Sequence, residues 1–296
     1  MNKRHVWQLI NRRDIPPNRT CVKCKWVFNI ERNGVFRVRL VASGYSQIPG
    51  VDFSKNYSPV VHDITFCLLL LAMILFSLSA KIVDVETAFL YGELEEQIFM
   101  DIPLGMENVE NVQPDQALEL QKCIYGLVQA ARQYYKKAVA ILRKIGFEGG
   151  SVDPCLFVRK STLGIVYIAL YVDDNLLVGK PEAIDEVIAL MQQEGLVLKV
   201  EHDLHDYLSC DIKFSNDKSK AWLGQPHLIA NLLEKFGEKV QGLSNYKTPG
   251  TPGTHIVRPL EDKEKISSED QALFRSGVGM LLYLVKHSRP DIANSV

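Results

Sequence analysis

The sequence lacks a convincing membrane span. Its best candidate, Ile64 to Ala80, has 17 uncharged residues, the short limit for a helix crossing about 30 Å of hydrocarbon. It contains Thr65, Ser77 and Ser79, and no second hydrophobic segment partners it, so it reads as a buried core helix. Cysteine is sparse. The six are scattered and no secretory signal precedes them, which excludes a disulfide scaffold and points to reduced thiols inside the cell. Cys21 and Cys24 form one C-x-x-C without a second Cys or His pair at zinc spacing, which argues against a structural zinc. No internal repeat is visible. With 47% apolar and 23% charged residues, disordered and collagen-like classes are excluded. The 296 residues suffice for one large core or two to three subdomains.

The near-zero formal charge of -1 conceals an asymmetry: residues 1–50 carry +8 and the remainder -9. A basic block of that size suits a polyanionic partner, although a solvated basic face has the same composition. Two short β-type runs, Trp26–Ile30 and Val35–Ala42, flank an Asn-Gly pair, a strong hairpin signal. Arg37 and Arg39 are two apart on the second run, so they share one face. They fit either a phosphate grip or an exposed strand edge.

The most telling stretch is Ile165 to Gly179, IVYIALYVDDNLLVG, read as two strands joined at a bend holding Asp173 and Asp174. Adjacent carboxylates between apolar strands repel and lose hydration, which a cation would cure. A plain polar turn is the alternative. Upstream, Lys81 to Glu86 alternates as a strand with Asp84 in mid-run, where Asp is disfavoured and costly to bury unpaired. Asp84 is either functional or the partner of a buried cation.

Other segments give a coarse outline. Glu93 to Asp101 is acidic and expected to be exposed, and a helix runs to about Lys144. Pro181–Glu194, Pro226–Phe236 (stopped by Gly237) and Glu269–Ser288 read as helices, Leu196–Val200 and Tyr207–Phe214 as strands. Thr248 to Gly253, TPGTPG, is the clearest linker.

In order, RVRLVASGYSQ, DVETAF, YGLVQAAR, YVDD and LLYLVKHSRPDIA resemble the reverse transcriptase of copia-type long-terminal-repeat retrotransposons, from about Trp7 to the end. The resemblance implies an α+β right-hand polymerase fold. Fingers would occupy 1–61 and 92–145, palm 62–91 and 146–214 with the YVDD hairpin, and thumb with the start of the connection 215–296. It implies an RNA-directed DNA polymerase that extends a DNA or RNA primer on an RNA template with deoxynucleoside triphosphates. Asp84, Asp173 and Asp174 would be the catalytic and metal-binding carboxylates for two Mg2+, or Mn2+. Arg37 and Arg39 would grip the triphosphate, Phe89 would block a 2′-hydroxyl, and Gln129 would contact the nucleotide. Tyr207, Leu208 and Ser209 would position the primer. Retrotransposon replication would place the protein in the cytoplasm, within virus-like particles, or in the nucleus, with no membrane role. Ser43, Cys67, Ala131 and Ser209 stand where the family has a basic residue, arginine, proline and glycine. A remnant that only binds nucleic acid is the alternative function.

Overall fold

A computed structural model describes residues 5–30, 34–106, 112–242 and 266–296. The TPGTPG segment lies outside them. The chain divides into two compact units, Met1–Phe66 with Leu78–His202, and Cys67–Ser77 with Asp203–Val296. The strands are β1 Trp7–Asn11, β2 Cys21–Val22, β3 Cys24–Ile30, β4 Phe36–Ala42, β5 Ser79–Val85, β6 Glu93–Met100, β7 Gln116–Lys122, β8 Glu148–Gly149, β9 Leu156–Ser161, β10 Gly164–Tyr171, β11 Asp174–Gly179, β12 Leu198–Glu201, β13 Asp206–Tyr207, β14 Cys210–Phe214 and β15 Ala221–Gly224. The helices are α1 Asp63–Phe76, α2 Ala130–Lys144, α3 Pro181–Gln193, α4 Pro226–Val240 and α5 Ser268–His287.

The first unit is built on a six-stranded antiparallel sheet in the order β12-β5-β11-β10-β9-β8. Its central strands are apolar almost throughout because both faces are covered. Val83, Val166, Ile168, Leu176 and Leu177 are fully buried, each side chain contributing about 1.5–3 kcal/mol. Helix α3 packs on β5, β10 and β11 through Ala183, Ile184, Val187 and Met191, which supply the apolar spacing of one helix face. A second sheet, β1-β7-β6-β2, has its own core around Ile98, Met100, Leu118 and Ile124. Strands β3 and β4 form a separate two-stranded hairpin.

Several expectations need correction. The acidic segment Glu93–Asp101 is exposed only in part, since it forms β6, which ends in Ile98, Phe99 and Met100, all buried. Its charges obscured a strand whose last turn enters the core. Helix α1 buries Phe66, Leu69, Leu70 and Met73 but exposes Ile64, Leu68, Leu71 and Leu75, so it is not a fully buried helix. No helix among the described residues is long and apolar enough to cross a membrane. Helix α4 runs through Gly237 to Val240, because a lone glycine weakens a helix by only about 1 kcal/mol.

In the second unit, the expected strand Tyr207–Phe214 is instead a tight hairpin. Tyr207 pairs with Cys210, and Leu208 and Ser209 turn the chain with φ of 52° and 62°. Two successive left-handed residues make the type of two-residue turn that matches strand twist.

Candidate active site

Strand register brings the predicted carboxylates together. On β5, Asp84 lies directly opposite Asp174 of β11 and, on its other side, opposite Lys199 of β12. Residues directly opposite in an antiparallel ladder share a face, so Asp174, Asp84 and Lys199 form one row. Asp173 sits in the turn between Tyr171 and Asp174, which are themselves a pair. Its carbonyl accepts from Val85 N at 3.0 Å and from Asn175 Nδ2 at 3.0 Å. The turn is thereby fastened to the strand that carries Asp84.

Asn175 points to the other face of the sheet. It is 1% exposed, its Nδ2 also donates to Val83 O at 3.2 Å, and the Tyr134 hydroxyl of α2 is turned towards it. Its Oδ1 has no partner at ordinary hydrogen-bond distance. Burial raises the Tyr134 hydroxyl pKa, and the Asn175 contact opposes that. An asparagine at this position thus ties α2, β5 and the carboxylate turn into one polar knot.

Backbone strain gathers at the same place. Val172, next to Asp173, has φ 55°, and Thr87, between Asp84 and Phe89, also has φ 55°. Left-handed β-branched residues cost about 1–3 kcal/mol each and persist only where their surroundings enforce them.

The electrostatics are those of an unneutralised acidic cluster. Asp84 has a raised pKa, from burial first and the Asp173 charge second, and both outweigh the opposing pull of Arg37 and Lys199. Although exposed to solvent, Asp174 is pushed up to about 6, by desolvation first, then by Asp173 and Asp84. Lys199 does not close the cluster, as its Nζ pairs with Glu201 at 3.3 Å. Hard carboxylate oxygens repelling one another suit Mg2+, which takes one or two carboxylates and fills its remaining positions with water and phosphate. Among the described residues no three acidic, His or Cys side chains converge closely enough to hold an ion between them.

The remaining candidates fall in different places. Arg37 and Arg39 project from one face of β4, opposite Asn29 and Val27, and the Arg39 guanidinium carbon lies 5.4 Å from the centre of the Tyr125 ring. Phe89, half-buried on a short 3-10 turn over Ala88–Tyr91, meets Tyr125 edge-on at 4.7 Å. Gln129 is fully buried. Its Oε1 accepts from Gln47 Nε2 and its Nε2 donates to Asp52 O, each at 3.0 Å. The residue expected to touch a nucleotide spends its amide holding the 47–52 loop. Tyr207 is buried at the hairpin of the second unit, where Tyr283 donates to Leu208 O at 3.4 Å.

Tyr125, Asn175, Tyr134 and Lys199 were not anticipated. Tyr125 opens the YGLVQAAR motif and Asn175 follows the Asp pair, but neither position carries a signal of its contacts.

Residues 4–251 match the family model described as reverse transcriptase (RNA-dependent DNA polymerase). The chain belongs to that family. It is 31% identical to the retrovirus-related Pol polyprotein from transposon TNT 1-94 of Nicotiana tabacum, over 100% of this chain and 22% of that protein. The corresponding polyprotein from transposon RE1 of Arabidopsis thaliana is 31% identical, over 99% and 19%. The Ty1-DR1 Gag-Pol polyprotein of Saccharomyces cerevisiae is 25% identical, over 98% and 17%. The chain thus spans about a fifth of the length of these relatives. A solved foamy viral protease-reverse transcriptase in complex with double-stranded DNA is similar at a TM-score of 0.41 and 11% identity, over 96% of this chain and 38% of that one. By family, then, it is a reverse transcriptase domain similar to those of plant and yeast retrotransposon polyproteins.

Proposed function

We propose that this reverse transcriptase domain extends a DNA or RNA primer 3′-hydroxyl with deoxynucleoside triphosphates on an RNA template, with Asp84, Asp173 and Asp174 as its catalytic carboxylates. The register of Asp84 against Asp174, with Asp173 fastened between, supports this reading most strongly. Two Mg2+, or Mn2+ in their place, held by these carboxylates would supply neutralisation of the entering and leaving oxygens. The protein's own groups do the rest. Arg37 and Arg39 present two fixed positive forks to the triphosphate on one strand face. The Phe89 ring, set edge-on against Tyr125, excludes a 2′-hydroxyl by bulk. Tyr207, Leu208 and Ser209 position the primer end from their hairpin. The fold then divides as a right hand: fingers at 1–61 and 92–145, palm at 62–91 and 146–214, and thumb from 215 onward.

The test is primer extension on an RNA template with Mg2+. The wild-type chain is expected to extend the primer and Asp173→Asn to lose at least about a thousandfold in rate. No wild-type product, alongside salt-dependent binding of the primer-template, would instead establish a binding-only remnant.

A further inference from the structure

The predicted nucleotide contact, Gln129, is sealed in the core with both amide atoms hydrogen-bonded. Tyr125, four residues earlier, is only half-buried. Its ring lies 5.4 Å from the Arg39 guanidinium and 4.7 Å from Phe89 at an interplanar angle of 69°. The hydroxyl of this tyrosine has its pKa raised by burial first, and it feels the charges of Asp173 and Asp84 as well as the opposing ones of Arg39 and Arg37.

Its backbone is held with unusual closeness to the strand bearing those arginines. Ala42 N donates to Tyr125 O at 2.8 Å, just beyond the end of the arginine run. The next residue, Gly126, has φ 90°, and a Cβ there would come within 2.0 Å of Ala42 O. A Cβ on Gly44 would meet Gly126 O at 2.2 Å. Only glycine permits such an approach, so the Tyr-Gly pair and β4 form one platform.

We propose that Tyr125 is a nucleotide-contacting residue that sets sugar specificity: its ring, braced edge-on by Phe89, is the wall against which the sugar of the incoming nucleotide rests. A nucleotide whose triphosphate reaches Arg37 and Arg39 and whose α-phosphate reaches Asp84 and Asp173 must lay its sugar over this pair of rings. Edge-to-face pairs lock each other's orientation beyond simple burial, so losing Tyr125 frees Phe89 as well. The ring, not the hydroxyl, carries the effect.

This inference rests on the polymerase reading, and the experiment separates the two. Binding of dATP and of ATP is measured by calorimetry on the chain loaded with primer-template in Ca2+, and incorporation of both is measured in Mg2+. Tyr125→Leu and Tyr125→Met are expected to weaken dATP binding about tenfold. They should also narrow the dATP-over-ATP preference about tenfold, with primer-template affinity unchanged. Tyr125→Phe is expected to stay within about twofold of wild type in both. Either aliphatic variant that melts like wild type and keeps dATP affinity and sugar preference overturns the assignment, as does loss of preference in Tyr125→Phe. If wild type neither binds dATP nor extends the primer, the polymerase reading itself fails.

Discussion

The two halves of the candidate site stand on opposite kinds of scaffold. The carboxylates belong to strands whose neighbours Val83, Leu176 and Leu177 are wholly buried, in a sheet six strands wide. The arginines belong to a two-stranded ribbon. Towards its tip, the face that pairs Phe28 with Val38 and Ile30 with Phe36 leaves Phe28 74% and Phe36 78% exposed, although Leu40 on the same face is buried. A hairpin of two strands is marginal by itself, and regions with few buried contacts open first. The fold therefore holds the carboxylate end rigid and leaves the arginine end, the proposed phosphate grip, more compliant. Mutations at the two ends should fail differently.

The sharpest break is at the rigid end. Asp84→Asn is expected to lower primer extension at least about a thousandfold, some 4 kcal/mol. It should leave the cation-free melting temperature unchanged or higher, because one repelling charge is gone. A fall in both would assign Asp84 to structure. Next is the knot behind it. Asn175→Ala leaves Val83 O without its side-chain partner and loosens the Asp173 turn, for about 1–3 kcal/mol of stability by denaturant titration. Its Mg2+ requirement for extension should rise, whereas unchanged stability would show that the buried amide holds nothing. The compliant end should respond least. Arg39→Ala is expected to raise KM for deoxynucleotide about tenfold, or 1.4 kcal/mol, with kcat and melting temperature nearly constant. A kcat loss as large as that of Asp84→Asn would erase the distinction between the two ends.

The rigid end was legible from sequence and the compliant end only partly. Asp84 and the 173–174 bend stood out because carboxylates amid apolar strands violate strand chemistry, and such violations gather at functional sites. The β3–β4 hairpin was legible from its Asn-Gly pair, although Glu31 to Asn33 lie outside the described residues. The roles of Tyr125 and Asn175 were not legible. Each depends on contacts formed across the fold, Tyr125 with Arg39 and Phe89, Asn175 with Val83 and Tyr134, and no local period encodes them. That Gln129 is buried with its amide on Gln47 and Asp52 was not legible either, because a motif fixes a residue's place in the chain but not the partners of its side chain. The hidden strand in Glu93–Met100 and the turn at Leu208–Ser209 were missed for a related reason. Acidic residues in a strand and non-glycine residues in a left-handed turn both run against composition.

The central claim is that Asp84, Asp173 and Asp174 form one repelling cluster that awaits a cation, and calorimetric melting tests it most directly. Because the Asp174 carboxyl is pushed up to about 6 and Asp84 is raised as well, protonated forms favour the folded state. The cation-free chain should lose stability as pH rises from about 4 through about 6. Mg2+ should restore it above that range and do little below, and Asp173→Asn should abolish most of the Mg2+ effect. A Mg2+ shift of equal size at about pH 4.5 and about pH 7.5, or one that survives Asp173→Asn, would contradict the account.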